Sequence, residues 1–524
     1  MVDSRLKKAH QEEGWIRLIT PSITRPSLQD NTGDADRLGR SIEKALHTGQ
    51  VSIDLPLIRK LPSLLRKSDY RVSVVVYKSG SSWHLIDIWP ASPGHRIYGL
   101  AVDLGTTTLV TRLMDLSSGK IVKETSFINP QTEIGPDILT RIHHASQRGG
   151  LAKLQKLVVE RLNRQVEDLT RSKGFEAGAV VAASVAGNTT MTHLFLGLDP
   201  YWICREPYIP AINKVPVLKA SEVGVKIHPD APLLVFPNVG GYFGGDLIAG
   251  ILASGMTQQE DLSILMDIGT NAEIVLGNKD WLMACAGAAG PALEGGVAGM
   301  GMMAGPGVID KVTTDSSTGE FQVRTIDDKP PAGICGSGLI DLVAQLYLTG
   351  MIDVRGKYTR ERCGNRLKEI EGMMCYVLVP SEKSATGKDL ALSQPDIDAL
   401  LRSKAAMYTI LTTVSHMANV SMRDIKDFFV AGTFGSYIDP QSAITIGMVP
   451  DLPPGTYKPL GNTSVTGASM ALLSEKAREE IYEIRNKVTY VELNVNQEFM
   501  NFFSAARFIP HTDRSLFPSV RPNG

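Results

Sequence analysis

Tyr98-Gly99-Leu100-Ala101-Val102-Asp103-Leu104-Gly105-Thr106-Thr107-Thr108-Leu109-Val110 has a near twin in Ser263-Ile264-Leu265-Met266-Asp267-Ile268-Gly269-Thr270-Asn271-Ala272-Glu273-Ile274-Val275, and Asp267 lies 164 residues beyond Asp103. Each copy reads as an apolar strand ending in Asp, a hydrophobic residue, Gly and a polar pair, followed by a second apolar strand. A hairpin tip of this composition suits phosphate. Gly permits close backbone approach, amides and Thr hydroxyls donate to phosphate oxygens, and Asp can hold the water shell of a Mg²⁺ ion. One such turn is ordinary; two after matched strands at domain-scale separation imply two similar halves facing each other.

A third glycine-rich turn follows a strand-like run at Asp427-Phe428-Phe429-Val430-Ala431-Gly432-Thr433-Phe434-Gly435-Ser436-Tyr437. Around these motifs, β-branched runs mix with helical patterns. From Gly150 to Arg171, for example, Leu151, Leu154, Val158, Leu162, Val166 and Leu169 recur at helical spacing, so the fold class is α/β. Upstream, a Pro-bounded segment, the strand-like 70–77, a Gly80-Ser81-Ser82 turn and 83–88 predict a small α+β module. Residues 1–50, broken by Pro21, Pro26, Asn31 and Gly33, read as a linker.

A chain of 524 residues is long enough for about three folded units. With 43% hydrophobic and 21% charged residues, disorder is excluded as the main state. Lys plus Arg number 54 against 55 Asp plus Glu, so no overall field attracts nucleic acid or anionic lipid, and neither partner is expected. The five cysteines, Cys204, Cys285, Cys335, Cys363 and Cys375, contain no Cys-x-x-Cys pair. No iron–sulfur cluster is therefore expected, and so sparse and odd a set suits a reducing cytoplasm. No apolar leader is present at the N-terminus, and the most apolar window, 284–309, is broken by Gly and Pro, so a soluble cytoplasmic chain is expected.

The repeated turn resembles the two phosphate loops of the actin, sugar kinase and Hsp70 ATPase superfamily, and 427–437 resembles its adenosine motif. Ala182–Met191 and Gly461–Ala468 are similar to its two connecting segments. Longer strings narrow the likeness: Ile128-Asn129-Pro130-Gln131 with Gly135-Pro136-Asp137-Ile138, Ala288–Gly295, Gly333–Asp341 and Phe508-Ile509-Pro510-His511-Thr512-Asp513. These resemble the ATP-dependent reductive activators of corrinoid proteins, here without the cluster-bearing, ferredoxin-like N-terminal domain that many members carry.

The resemblance implies a two-lobed actin-like (RNase H-like) ATPase fold preceded by the small module. The expected division is a linker at 1–50, the module at 51–96, subdomain I at 97–257, subdomain II at 258–456, and a return to subdomain I with a tail at 457–524. It implies ATP and Mg²⁺ as ligands, a corrinoid protein in a methyltransferase system as partner, an external low-potential electron donor, and a homodimer. Gly105, Thr106 and Thr107 would form the first phosphate loop; Gly269, Thr270 and Asn271 the second. Asp103 and Asp267 would hold Mg²⁺, Asp246 would orient the attacking water, and Gly432, Thr433 and Gly435 would line the adenosine. Met300, Met302 and Met303, in an almost uncharged segment, are candidates for contact with the corrinoid partner. Cys335 reads as a small buried residue, and His143 and His144 as a solvated helix face. Two other functions fit the same fold: a nucleotide-gated remodelling protein without redox chemistry, and a carbohydrate-type kinase, for which no sugar motif is evident.

Overall fold

The computed structural model describes residues 2–241, 243–269, 272–287, 298–315, 318–432, 437–491 and 498–521. The chain divides into two units, Met1–Ala253 with Thr463–Asn486, and Ser254–Asn462 with Lys487–Gly524.

The first unit begins with α1 (Val2–Gln11), β1 (Ile16–Ile19), α2 (Asp34–Leu46), β2 (Val51–Ser52), α3 (Leu55–Lys67), β3 (Val72–Ser79) and β4 (Ser82–Pro90), whose strands form a sheet in the order β1-β3-β4-β2. Leu38 and Ile42 of α2, and Leu57, Leu61 and Leu65 of α3, recur every four residues, which puts each set on one helix face. Both faces bury against Val72, Val74 and Val76, alternate residues of β3. The expected boundary at residue 50 therefore falls inside one hydrophobic core. The stretch read as a linker supplies an edge strand and a packed helix, because its Pro and Gly breaks lie between those elements rather than throughout.

Then come β5 (Tyr98–Leu104), β6 (Thr108–Asp115), β7 (Lys120–Ile128), α4 (Ile138–Ala145), α5 (Gly150–Arg171), β8 (Val180–Gly187), α6 (Thr189–Leu196), β9 (Leu218–Lys219), α7 (Ala220–Val223), β10 (Pro232–Val235) and α8 (Gly245–Ser254). The sheet order is β7-β6-β5-β8-β10-β9, with β5 to β7 antiparallel and β8 and β10 parallel to β5. Every residue of β8 is buried, as its unbroken run of small apolar residues requires of a strand covered on both faces.

The second unit holds β11 (Ser263–Ile268), β12 (Ala272–Gly277), β13 (Leu282–Gly287), β14 (Val308–Thr314), β15 (Phe321–Thr325), β16 (Gly333–Ile334), α9 (Gly336–Leu348), α10 (Arg360–Cys363), β17 (Leu367–Ile370), β18 (Met373–Val379), β19 (Leu390–Ser393), α11 (Gln394–Met417), β20 (Asp427–Ala431), α12 (Pro440–Ile446) and β21 (Tyr457–Gly461). The chain then returns to the first unit as α13 (Thr463–Leu473) and α14 (Glu475–Lys487), and ends in the second with β22 (Val488–Tyr490) and α15 (Glu498–Ala506). The return expected for 457–524 is thus confined to 463–486. Residues 508–517 pack instead beside α11, where Ile509 and Phe517 enter the second unit's core.

The second unit's main sheet runs β21-β20-β11-β12-β13-β22. Taken from the third strand of each six-stranded sheet in chain order, β7-β6-β5-β8-β10 and β13-β12-β11-β20-β21 have one order and one set of directions. The repeat visible in 98–110 and 263–275 is therefore a repeat of five strands.

Three buried polar groups mark the packing. Lys404 of α11 is fully buried, and its Nζ donates to the carbonyls of Phe508 and of Pro510, the latter at 2.8 Å; burial holds its pKa well below the usual lysine value. Trp15, also fully buried, donates from Nε1 to the Ala471 carbonyl at 2.7 Å, under the Arg478 guanidinium at 4.7 Å, so the module is keyed into α13 and α14. Asp341 of α9 accepts from the Val312 amide at 3.2 Å, while its other oxygen is buried without a hydrogen-bond partner among the described residues.

Burial pushes Asp341 up to about 6, with Ser442 and Lys311 favouring its charged form and Asp439 opposing it. A raised folded-state pKa makes protonation stabilising: the contribution is complete below pH 3.8 and is lost as pH rises through 6. Asp341→Asn is accordingly expected to stabilise the protein at pH 7 by about 1–3 kcal/mol, with the gain vanishing near pH 4. Thermal denaturation at the two pH values checks this, and equal melting shifts at both would contradict it.

Candidate functional site

Asp103 pairs with Val110 and Leu104 with Leu109, so Gly105, Thr106 and Thr107 form the tip between β5 and β6. Asp103, Gly105 and Thr106 are half-buried and Thr107 is exposed. The tip is too tight for a side chain at 105, where a Cβ would stand 2.3 Å from the Thr108 carbonyl oxygen.

Two asparagines brace this tip. The Asn129 side chain donates to the Gly105 carbonyl at 3.1 Å and its amide to the Thr107 carbonyl at 2.8 Å. The Asn188 side chain donates to Thr106 Oγ1 at 3.0 Å and accepts from the Met191 amide, capping α6. Behind Asn129, Gln131 is locked by its bond to the Leu154 carbonyl. Both asparagines stand directly after a strand and before a helical turn, a cap position legible in the sequence, although the brace itself is not.

Asp246 belongs to the same neighbourhood. A Cβ at Gly244 would lie 2.4 Å from Asn188 Cα and 2.6 Å from Asp246 Oδ1, so Gly244 lets the Asp246 carboxylate and the Asn188 backbone come close. The glycine cluster leading to it is held by Asn238 and Asn213, which bond each other at 2.8 Å, and by Thr189, which donates to the Gly240 carbonyl. Buried His193 bonds the Thr189 carbonyl through Nδ1 at 2.7 Å and accepts from the Ala211 amide at Nε2. Burial lowers its pKa, so it is the neutral tautomer protonated at Nδ1.

In the second unit, Asp267 pairs with Glu273 on β12 and with Ala431 on β20, and Gly269 follows at the tip. Gly432 has φ of 87°, and a Cβ there would stand 2.7 Å from the Ile268 carbonyl oxygen and 3.0 Å from Asp267 Oδ1. The start of the adenosine-type turn is thereby set against the Asp of the second phosphate-type turn. A side chain at 432 would displace both. Thr270, Asn271, Thr433 and Gly435, and the string 288–295, lie outside the described residues.

The other candidates separate. Met300 is buried and belongs to the core, not to a contact surface, whereas Met302 and Met303 are exposed. Cys335 is buried, its thiol 3.4 Å from the Ile309 carbonyl and 3.2 Å from Ser337 Oγ. His143 is exposed, but the expected solvated face excludes His144, which turns inward with Nε2 buried. Among the described residues no group of three or more His, Cys, Asp or Glu gathers at metal-binding distance, and no helix is long and apolar enough to cross a membrane.

Family models described as the RACo linker region, the RACo middle region and the C-terminal domain of RACo, the ASKHA domain, match residues 14–93, 98–259 and 261–521. The chain is 30% identical over 480 residues to the corrinoid activation enzyme RamQ of Eubacterium limosum, covering 87% of this chain and 80% of that one. It is 23% identical over 444 residues to the [Co(II) methylated amine-specific corrinoid protein] reductase of Methanosarcina barkeri, covering 78% and 76%. Among solved structures, a reductive activator for corrinoid, iron–sulfur protein superposes with a TM-score of 0.89 at 38% identity, over 97% of this chain and 81% of that one.

Proposed function

The chain belongs to the family of reductive activators of corrinoid proteins, and from that premise we propose that it hydrolyses ATP to drive an inactive Co(II) corrinoid protein to Co(I). The observation that carries the reading is the five-strand repeat with an Asp-x-Gly tip at the same place in each sheet, together with Gly432 set against Asp267.

In this reading each tip serves as a phosphate loop. The Gly105 and Gly269 amides and the Thr106 and Thr107 hydroxyls would donate to phosphate oxygens, and Thr270 and Asn271 would belong to the second loop. Asp103 and Asp267 would hold the hydrated Mg²⁺ that accompanies ATP and offsets phosphate charge. The tight Gly105 tip and the side-chain-free Gly432 fit that ligand. Asp246, beside Asn188, would orient the attacking water. Gly432, Thr433 and Gly435 would line the adenosine.

Hydrolysis is useful only if the nucleotide states bind the two cobalt states of the partner differently. Weakening an axial ligand raises the Co(II)/Co(I) potential, and each tenfold gain in a one-electron step needs about 59 mV. We further propose an external low-potential electron donor, a homodimer, and contact with the corrinoid partner through Met302 and Met303.

The test mixes the protein with a Co(II) corrinoid protein, a reductant and Mg-ATP, and follows the Co(I) absorption. Co(I) should form with ATP and not without it. Met303→Asp places a charge on an exposed side chain and should weaken association with the corrinoid protein about tenfold or more, while ATP hydrolysis in the absence of partner is retained. Equal Co(I) yields with and without ATP would favour a remodelling role without redox coupling.

A further inference from the structure

Arg141, on α4, is fully buried in the first unit, yet among the described residues no carboxylate pairs with it. Its Nε donates to the Gly135 carbonyl at 2.9 Å and its Nη1 to Gln131 Oε1 at 3.3 Å, with Met191 Sδ at 3.2 Å, while Nη2 has no hydrogen-bond partner. Asp137, the nearby carboxylate, instead caps α4 through the amide and hydroxyl of Thr140. A buried guanidinium is ordinarily matched by an anion, because desolvation penalises an isolated charge heavily.

The contacts lead from this cation to the first tip. Gln131 Oε1 is 3.5 Å from Asn129 Nδ2, which donates to the Gly105 carbonyl, and Asn129 Nδ2 and Arg141 Nη1 both reach the Met191 sulfur. Two polar side chains therefore separate Arg141 from a tip that would receive polyphosphate. We infer that Arg141 is a positioning residue for the nucleotide: it fixes the Gln131–Asn129 brace under Gly105, and its charge, which no hydrogen-bonded carboxylate matches, favours phosphate at the tip in proportion to the phosphate's own charge. The inference rests on the reading that this tip binds ATP.

Burial pulls Arg141 down to about 10 against the opposing effect of the Asp137 charge, and still leaves it charged at neutral pH. At an effective dielectric constant near 20, one charge acting over about 10 Å changes affinity by roughly an order of magnitude, and burial shields it from salt.

The experiment is calorimetric titration of the full chain with Mg-ATP, Mg-ADP and adenosine, for the wild type and for Arg141→Met and Arg141→Gln. Both neutral side chains should weaken ATP about tenfold, ADP less, and adenosine not at all. Arg141→Gln keeps an amide donor for the Gly135 carbonyl or Gln131 Oε1, and decides if Arg141→Met does not fold. Equal losses for all three ligands would show a merely structural arginine and overturn the inference. A wild-type protein that binds no adenine nucleotide would overturn the nucleotide reading and this inference with it, whereas wild-type binding with unaffected variants overturns this inference alone.

Discussion

Asp103→Ala and Asp267→Ala should each lower steady-state ATP hydrolysis by about 10²–10³-fold, measured as phosphate release in saturating Mg²⁺. Each carboxylate stands half-buried at the end of a strand whose pairing is through the backbone, and alanine preserves that pairing. What alanine removes is a charge beside a phosphate-type tip, where charge builds up as the terminal phosphoryl group is transferred. Circular dichroism should be unchanged while turnover collapses. Wild-type rates in both variants would reject the assignment of these residues to Mg²⁺. Asp267→Ala also removes the carboxylate that lies beside Gly432, so an effect confined to that variant would point to the Gly432 turn rather than to the metal.

The second large effect concerns stability. Lys404→Ala should destabilise the protein by about 3–5 kcal/mol, because it opens a cavity in α11 and strips the carbonyls of Phe508 and Pro510 of their buried donor. Lys404→Met fills the space and should lose less. The pH dependence separates the two contributions. Since the folded-state pKa of Lys404 is depressed, the unfolded chain holds the extra proton, and stability rises with pH between the folded-state value and 10.5. Below pH 9.5 the groups facing it do not compete: His511 is lowered from 6.5 by burial and by Lys404, Asp513 is lowered from 3.8, and Tyr408 is pushed up to about 12. The wild type's margin over Lys404→Met should therefore widen from pH 7 to 9.5 in denaturant titrations. A margin independent of pH would mean that Lys404 stays protonated in the folded state.

The Phe508–Asp513 string thus has a physical explanation that the sequence could suggest as a family mark but not account for. A lysine about a hundred positions earlier, in a helix with no visible irregularity, is what anchors it. The first tip was legible for the opposite reason. Strand, tip and strand are contiguous, and the local pattern carries the geometry of Asp103–Thr107. The braces from Asn129 and Asn188 were half-legible: the capping position can be read, the target cannot, since it lies on another strand. Residues 1–50 misled because breaks at Pro21, Pro26 and Gly33 look alike whether they separate packed elements or fill a tether. What decides is Leu38 and Ile42 burying against β3, a contact made across more than thirty residues. Met300 misled in a related way, for a methionine among glycines reads as surface until the core that receives it is seen.

Trp15 has a use beyond holding the module in place. Of the five tryptophans, Trp202 is exposed, whereas Trp15 is fully buried with its indole proton on Ala471 and a guanidinium above its ring. Its excited state therefore senses the end of α13, the helix that begins as the chain leaves Gly461 and Asn462 beside the Gly432 turn. In a chain whose other tryptophans are replaced by phenylalanine, the wavelength and lifetime of Trp15 emission would follow that helix in real time, without a label.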